Sequence, residues 1–143
     1  MFLRQSELFN GMSMELIRKV MDLAERIHCD QGQTLFHRGE RPDRFYILIH
    51  GRVQLTFGQK DQQVYVGSQP GEFFGWSGLL EQDSFTASGE CLEPTDMLKI
   101  DTAKFFSLLR SDPEGTCLLY KNLCRALGSR LLHVYEFFTE ART

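Results

Sequence analysis

Residues 45–57 read FYILIHGRVQLTF, two runs of aromatic and β-branched residues on either side of the pair His50-Gly51. Runs of this composition favour β-strands, and a glycine between them permits a tight turn. The stretch therefore predicts two strands, Phe45–Ile49 and Val53–Phe57, joined by a hairpin turn at His50-Gly51.

The same texture continues on both sides of this stretch. The further short runs of this kind are Thr34–Phe36, Val64–Val66, Thr86–Cys91 and Met97–Ile100. A second hairpin turn is predicted at Gly58–Gln62. Because no helical pattern that could make parallel crossovers interrupts the block, it predicts an antiparallel double-sheet β-roll, jelly-roll-like, over about residues 30–101.

Helical patterns flank the predicted roll. Ser13 can cap a short amphipathic helix whose apolar residues recur at three- and four-residue steps as far as about His28. Asp101-Thr102 can cap a second helix that ends near Arg110. The fold class is therefore mainly β with flanking helices, and the C-terminal helices are expected over about residues 102–140.

A long last helix is predicted from Asp112-Pro113-Glu114 to about Thr139. The apolar residues of one face follow a heptad pattern, and they are Tyr120, Cys124, Leu127, Leu131, Val134 and Phe138. An adjoining apolar face carries Leu119, Leu123, Ala126 and Phe137. We expect one face to cover the roll and the other to meet a second copy in a homodimer. The alternative is that both faces are internal to the monomer.

Length and composition limit the functions that the chain can have. It has 143 residues, 42% hydrophobic and 24% charged, which predicts a single domain over residues 1–143. The net charge of −3 lacks the basic footprint of nucleic-acid or membrane-surface binding, so no direct nucleic-acid partner and no membrane partner is predicted. There is no run of about 20 apolar residues and no signal-peptide pattern at the amino terminus, so a cytoplasmic protein is expected.

Patterns typical of metal sites and of catalysis are missing from the sequence. The four cysteines form no CxxC pair, and the four histidines have no HxH or HxxxH spacing, so reduced structural thiols and no metal site are predicted. Gly75–Leu79 lacks the second glycine where the GxSxG nucleophile motif needs it. We therefore do not expect an enzyme.

Residues 71–87, GEFFGWSGLLEQDSFTA, form a glycine-framed segment that we call the cassette. With Gln31–Glu40 and Phe45–Val53, it resembles the cyclic nucleotide-binding domain of the cyclic AMP receptor protein (Crp/Fnr-type) family, and the likeness runs from about Phe9 to about Phe138. In that family a glycine turn leads into a short cassette helix whose amides point at a phosphate. The resemblance implies these candidate ligand-binding residues: Gly71, Glu72, Phe74, Gly75, Trp76, Ser77, Gly78, Leu79, Phe85, Thr86, Ala87 and Arg130.

The cassette departs from the family pattern at two positions. Trp76 stands where the family has a glutamate that holds the ribose, and Phe85 stands where an arginine pairs with the cyclic phosphate. Each replacement removes a charge-assisted contact of about 1.5–3 kcal/mol. Cyclic AMP binding in the usual mode should therefore be weakened by orders of magnitude, although Thr86 keeps one hydroxyl.

Three interpretations of the two aromatic residues stay open. They stack on a planar ligand, or they fill the pocket themselves, or a cyclic nucleotide binds through backbone amides with Arg130 as a substitute cation. The cofactor is unknown, and a haem site around His37 or His133 has no support in the sequence.

The resemblance implies a non-catalytic ligand-sensing module that signals through its C-terminal helix. One alternative is the sensor half of a Crp/Fnr-type transcription regulator without its helix-turn-helix module, and another is a scaffold with a filled pocket.

Overall fold

The computed structural model describes residues 3–142, with the side chains of residues 3–140, so residues 1, 2 and 143 of the predicted domain lie outside the described residues. Within this range the strands are β1 (Glu25–Cys29), β2 (Thr34–Phe36), β3 (Arg44–His50), β4 (Val53–Phe57), β5 (Gln62–Gly67), β6 (Phe73–Phe74), β7 (Ser88–Cys91) and β8 (Thr95–Asp101). They form two antiparallel four-stranded sheets, ordered β1-β8-β3-β6 and β2-β7-β4-β5. The predicted double-sheet roll is confirmed.

β3 shows how the core is divided. Its alternate residues Phe45 and Ile47 face the helices, whereas Tyr46 and Leu48 face the second sheet inside the roll. Because successive side chains of a strand point to opposite faces, this strand is buried on both sides and its sequence is apolar throughout.

The predicted hairpin at His50-Gly51 is wrong, because β3 and β4 belong to different sheets. The chain turns a corner at Gly51, which has a φ of 132°. A Cβ at Gly51 would collide with Thr95 at the start of β8, and the N–H of Arg52 donates to Thr95 Oγ1 at 3.3 Å. The predicted hairpin at Gly58–Gln62 is confirmed by the pairing of β4 with β5.

The first helix, α1 (Met14–Leu23), begins at the predicted cap, where the N–H of Leu16 donates to Ser13 Oγ at 3.2 Å. The prediction that this helix extends to about His28 is wrong, because it ends at Leu23. The chain becomes extended at Ala24, and β1 then pairs with β8, so the roll begins at Glu25 rather than near residue 30. The backbone hydrogen bonds of this pairing outweigh the helical spacing of the apolar residues.

The last two helices are α2 (Thr102–Leu109) and α3 (Pro113–Arg142). Both begin at the predicted caps: the N–H of Lys104 donates to Asp101 at 2.9 Å and the N–H of Gly115 donates to Asp112 at 2.8 Å. Leu119, Leu123 and Ala126 of α3 are buried in a core that α1, α2 and the first sheet share. None of the helices within residues 3–142 combines the length and apolarity needed to cross a membrane.

Candidate ligand-binding site

The glycine turn of the cassette is hydrogen-bonded to β3. The N–H of Gly71 donates to the carbonyl of Leu48, and the N–H of Leu48 donates to the carbonyl of Glu72, both at 2.8 Å. Gly71 and Gly75 adopt left-handed φ values of 93° and 80°, which glycine reaches without a steric penalty. Gly75 leads directly into a short 3₁₀-helix, Trp76–Leu80. The glycine turn and the short helix predicted from the sequence are both present.

The cassette helix is pressed closely against the rest of the roll. A Cβ at Gly78 would collide with the carbonyl oxygen of Pro42, so only glycine fits there without movement of the backbone. Ser77 is buried, and its hydroxyl accepts a hydrogen bond from the N–H of Thr86 at 3.4 Å. Leu79 lies in the core beneath the helices. These residues therefore fix the position of the cassette helix.

Phe85 lies in the hydrophobic core inside the roll and does not line the cavity of the cassette. Its side chain is 1% exposed and stacks on Phe36, with 4.4 Å between the ring centroids. The guanidinium of Arg44 also lies over the Phe85 ring, 5.3 Å from its centroid. Its backbone is held by the turn at residues 39–40, since the N–H of Gly39 donates to the Phe85 carbonyl and the N–H of Phe85 donates to the Glu40 carbonyl. The position at which the family carries an arginine is thus part of the hydrophobic core.

Trp76 has a different environment, because its ring is half-buried at the wall of a cavity. The cavity has a volume of about 190 Å³. It is lined by Phe36, Leu55, Phe57, Val64, Gly75, Trp76, Ser77, Thr86 and Ala87. No Asp, Glu, Lys or Arg from the described part of the chain is among these residues, and the volume is below the range of about 300–1,000 Å³ of typical ligand sites.

Glu72 is a buried carboxylate that connects the cassette to β5. The Tyr65 hydroxyl donates to one of its oxygens, and the N–H of Gln69 donates to the other at 2.8 Å. Burial and the hydrogen bond to Glu72 raise the pKa of Tyr65 to about 12. Phe74, two residues further on, packs inside the roll. Glu72 and Phe74 thus hold the cassette in place and do not line the cavity.

Arg130 of α3 joins the same cluster. Its guanidinium lies 4.8 Å from the ring centroid of Tyr65 and 4.5 Å from that of Phe73. Its Nη2 atom donates to the carbonyl of Phe73 at 2.7 Å and pairs with Glu7 at 3.5 Å. Arg130 lies outside the described lining of the cavity, so the structure places it against the back of the cassette, and its role as a cation for a ligand stays a prediction.

Glu7 gives this cluster a pH dependence. Burial raises its pKa above the ordinary 4.5, and Glu72 adds to the rise, while Arg130 opposes it. The folded protein therefore binds a proton at Glu7 more readily than the unfolded chain does. As the pH rises from 4.5 through the raised pKa, this carboxyl should lower the free energy of unfolding.

We expect Glu7→Gln to remove that contribution, so that stability falls less with rising pH than in the wild type. Urea unfolding at a series of pH values measures the difference between the two proteins. Glu15→Gln, at an exposed position on α1, is the matched control. A wild-type-minus-Glu7→Gln difference that is the same at every pH would contradict the assignment.

Several lining residues escaped the sequence analysis. Leu55 and Phe57 lie on the same face of β4, so the alternation of that strand could have identified them together. Val64 and Phe36 come from strands in other parts of the chain, and only the folded roll brings them to the cavity.

The chain is similar to known regulators. Residues 26–112 match the pattern of the cyclic nucleotide-binding domain. Over 133 residues the chain is 29% identical to the cyclic AMP receptor protein of Thermus thermophilus, covering 90% of this chain and 59% of that protein. It is 30% identical over 129 residues to a cGMP-dependent protein kinase of Drosophila melanogaster, covering 80% of this chain but 14% of the kinase. The chain thus spans less than two thirds of either relative.

The fold is also that of a solved domain of a transcriptional regulator. The chain is similar to the N-terminal domain of a transcriptional regulator from Streptomyces coelicolor, with a TM-score of 0.73 and 25% identity over 90% of this chain and 94% of that one. The match to the family pattern covers more than half of the residues. The chain therefore belongs to the cyclic nucleotide-binding domain family.

Proposed function

We propose that this chain acts as a single-domain, non-catalytic sensor whose cassette cavity accepts an uncharged ligand instead of cyclic AMP in the usual mode. The observation that carries this proposal is the burial of Phe85 at the position of the family's phosphate-binding arginine. An anion placed in the cavity would lose its hydration without gaining a cation in return. An uncharged molecule with a planar face would instead stack on Trp76.

The signal would pass from the cassette to α3 through the buried cluster. Glu72 belongs to the cassette, Tyr65 binds it from β5, and Arg130 lies over the Tyr65 ring from α3. A ligand that prefers one position of the cassette would therefore also favour one position of α3. These contacts support signalling through the C-terminal helix.

Native mass spectrometry on protein purified under native conditions tests the proposal. We expect a retained small molecule, and we expect Ala87→Phe, which fills the cavity, to lose it. Ala103→Phe, at an exposed position on α2, should retain it. Trp76 is the only tryptophan of the chain, so its fluorescence should shift when the retained molecule is removed and added back. Retention that is equal in both variants would place the molecule elsewhere.

A scaffold with a filled pocket is the second candidate function. The small volume of the cavity, about 190 Å³, favours it. It predicts that no molecule is retained by the wild type and that Ala87→Phe changes nothing. The similarity to transcription regulators supports a role as the sensor half of such a protein, with DNA binding carried by another part.

We also propose that α3 forms a homodimer through the predicted heptad face. Leu131 and Phe138 of that face are exposed apolar side chains, and Leu127 and Val134 beside them are half-buried. An exposed apolar stripe of this kind is typical of an interaction surface.

Leu131→Glu is expected to weaken dimerisation at least about tenfold, because each copy would bring an unpaired carboxylate into the seam. Sedimentation equilibrium over a concentration series measures the change. Leu132→Glu alters a neighbouring exposed leucine outside the heptad face and should leave the dimer intact. Monomeric wild-type protein at all concentrations would show that the face has no such role.

A further inference from the structure

The four cysteines of the chain fall into two pairs with different environments. Cys29 and Cys91 are buried inside the roll, where they belong to the same hydrophobic cluster. Burial raises the pKa of both thiols, that of Cys91 to about 11. Because the thiolate is the reactive form of cysteine, these two side chains are protected from oxidants at neutral pH. Cys117 and Cys124 are instead exposed, and both lie on α3.

The helix prevents the two exposed thiols from bonding to each other. Cys117 and Cys124 are seven residues apart in the sequence. This spacing corresponds to about 10.5 Å along a helix, whereas a disulfide requires Cα atoms about 4.4–6.8 Å apart. The other two thiols of the chain are enclosed in the roll. A disulfide at Cys117 or Cys124 therefore needs a thiol from another molecule.

Cys124 lies on the heptad face that we propose as the dimer contact. It precedes Leu131 by seven residues, so the two side chains point in nearly the same direction from α3. The face is open on both sides of Cys124, because Tyr120 is 38% exposed and Leu131 is 50% exposed. Cys117 lies a further heptad away from Leu131, before the first residue of the predicted face.

A parallel arrangement of two copies brings their Cys124 residues together. A two-fold axis along the helices places each residue of the heptad face opposite the same residue of the second copy. Leu131 and Phe138, the most exposed apolar side chains of this face, then cover their own counterparts. Helix axes about 10 Å apart, each with a Cα radius of about 2.3 Å, leave roughly 5 Å between facing Cα atoms. That separation lies within the disulfide range.

On the basis of the proposed homodimer, we infer that Cys124 is a redox modification site, at which hydrogen peroxide forms a disulfide between two copies of this chain. The Cys124 thiolate of one copy attacks the peroxide, which yields a sulfenic acid and one water. The Cys124 thiolate of the second copy then attacks the sulfenic sulfur, the S–S bond forms and the second water leaves. Two thiols are oxidised, and one peroxide is reduced to two waters. The bond keeps the two helices together at concentrations at which the reduced dimer dissociates.

Peroxide treatment followed by non-reducing gel electrophoresis tests this inference. We expect the wild type to give a species of twice the chain mass, which dithiothreitol returns to the single chain. Cys124→Ser should abolish this species, because it removes the reacting sulfur. Cys117→Ser is the matched control, since Cys117 is exposed on the same helix, and it should cross-link as the wild type does. Peptide mapping should find Cys124 joined to Cys124.

Sedimentation of the reduced wild type separates this inference from the homodimer itself. A reduced dimer that peroxide does not cross-link would overturn the inference and leave the homodimer standing. Equal cross-linking in Cys124→Ser and Cys117→Ser would do the same. Slower cross-linking by Leu131→Glu supports a bond formed within the dimer. If the reduced wild type is monomeric and Leu131→Glu reacts at the wild-type rate, the bond arises from random collisions and both proposals fail.

Discussion

Cyclic AMP and cyclic GMP are expected to bind this chain about 10²- to 10⁴-fold more weakly than they bind domains with glutamate and arginine at positions 76 and 85. Two charge-assisted contacts of about 1.5–3 kcal/mol each are missing, and the rings that replace them cannot accept or donate comparable bonds. Isothermal titration calorimetry with both nucleotides measures the affinity. Tight binding by the wild type would contradict our interpretation of Trp76 and Phe85.

The variant Trp76→Glu/Phe85→Arg tests the same interpretation by restoring the glutamate and the arginine of the family. We expect the full gain of binding only when both substitutions are present, because each one restores a separate contact. An arginine at position 85 would meet Arg44, whose guanidinium lies over the present Phe85 ring, so the new side chain must turn out of the core towards the cavity. Trp76→Glu alone is the control, and it should recover at most one of the two contacts.

Phe85→Ala is expected to lower the free energy of unfolding by about 3–5 kcal/mol, as large-to-small substitutions of buried phenylalanines do. The ring is almost completely buried, and its removal would leave a void between Phe36 and Arg44. A family position that ordinarily serves a ligand would thus be shown to serve the fold. Chemical denaturation followed by the fluorescence of Trp76 gives the value.

Phe57→Ala is the matched control, because Phe57 belongs to the wall of the same cavity but is 55% exposed. Its substitution should cost well under half of the Phe85 value. Equal and small losses for the two variants would mean that Phe85 is not a core residue in solution.

Much of the roll could be predicted from composition because buried strands are apolar along their whole length. β3 and β4 were found within one residue of their observed ends for this reason. β6 was missed because it contains only Phe73–Phe74, and the hydrogen bonds of Gly71 and Glu72 to β3 hold it in place. A strand of that length has no periodicity to detect.

Errors arose where neighbours in sequence are separated in space. The run Phe45–Phe57 has the pattern of a hairpin, but the packing of Gly51 against Thr95 turns the chain from one sheet into the other. In β1, Ile27 continues the three- and four-residue spacing of α1, and only the pairing with β8 shows that the helix has ended. Both outcomes depend on a strand more than forty residues away in sequence.

The site was predictable as a location but not in its detail. The glycine framework located the turn and the short helix, since left-handed φ values and a close approach to Pro42 require glycine. The spacing of Phe85 gave no indication of the direction of its side chain. That direction follows from the turn at Gly39–Glu40, which bonds both backbone groups of Phe85.

The C-terminal part of α3 extends beyond the residues that pack on the roll. α3 packs on the body of the protein through Leu119, Leu123, Ala126 and Arg130, and the segment from Arg130 to Arg142 is about 18 Å long at about 1.5 Å per residue. If this segment tilts by about 5° about Arg130, the C-terminal end of α3 moves by about 1.6 Å over that length. Movements too small to disturb the sheets are therefore magnified where α3 leaves them.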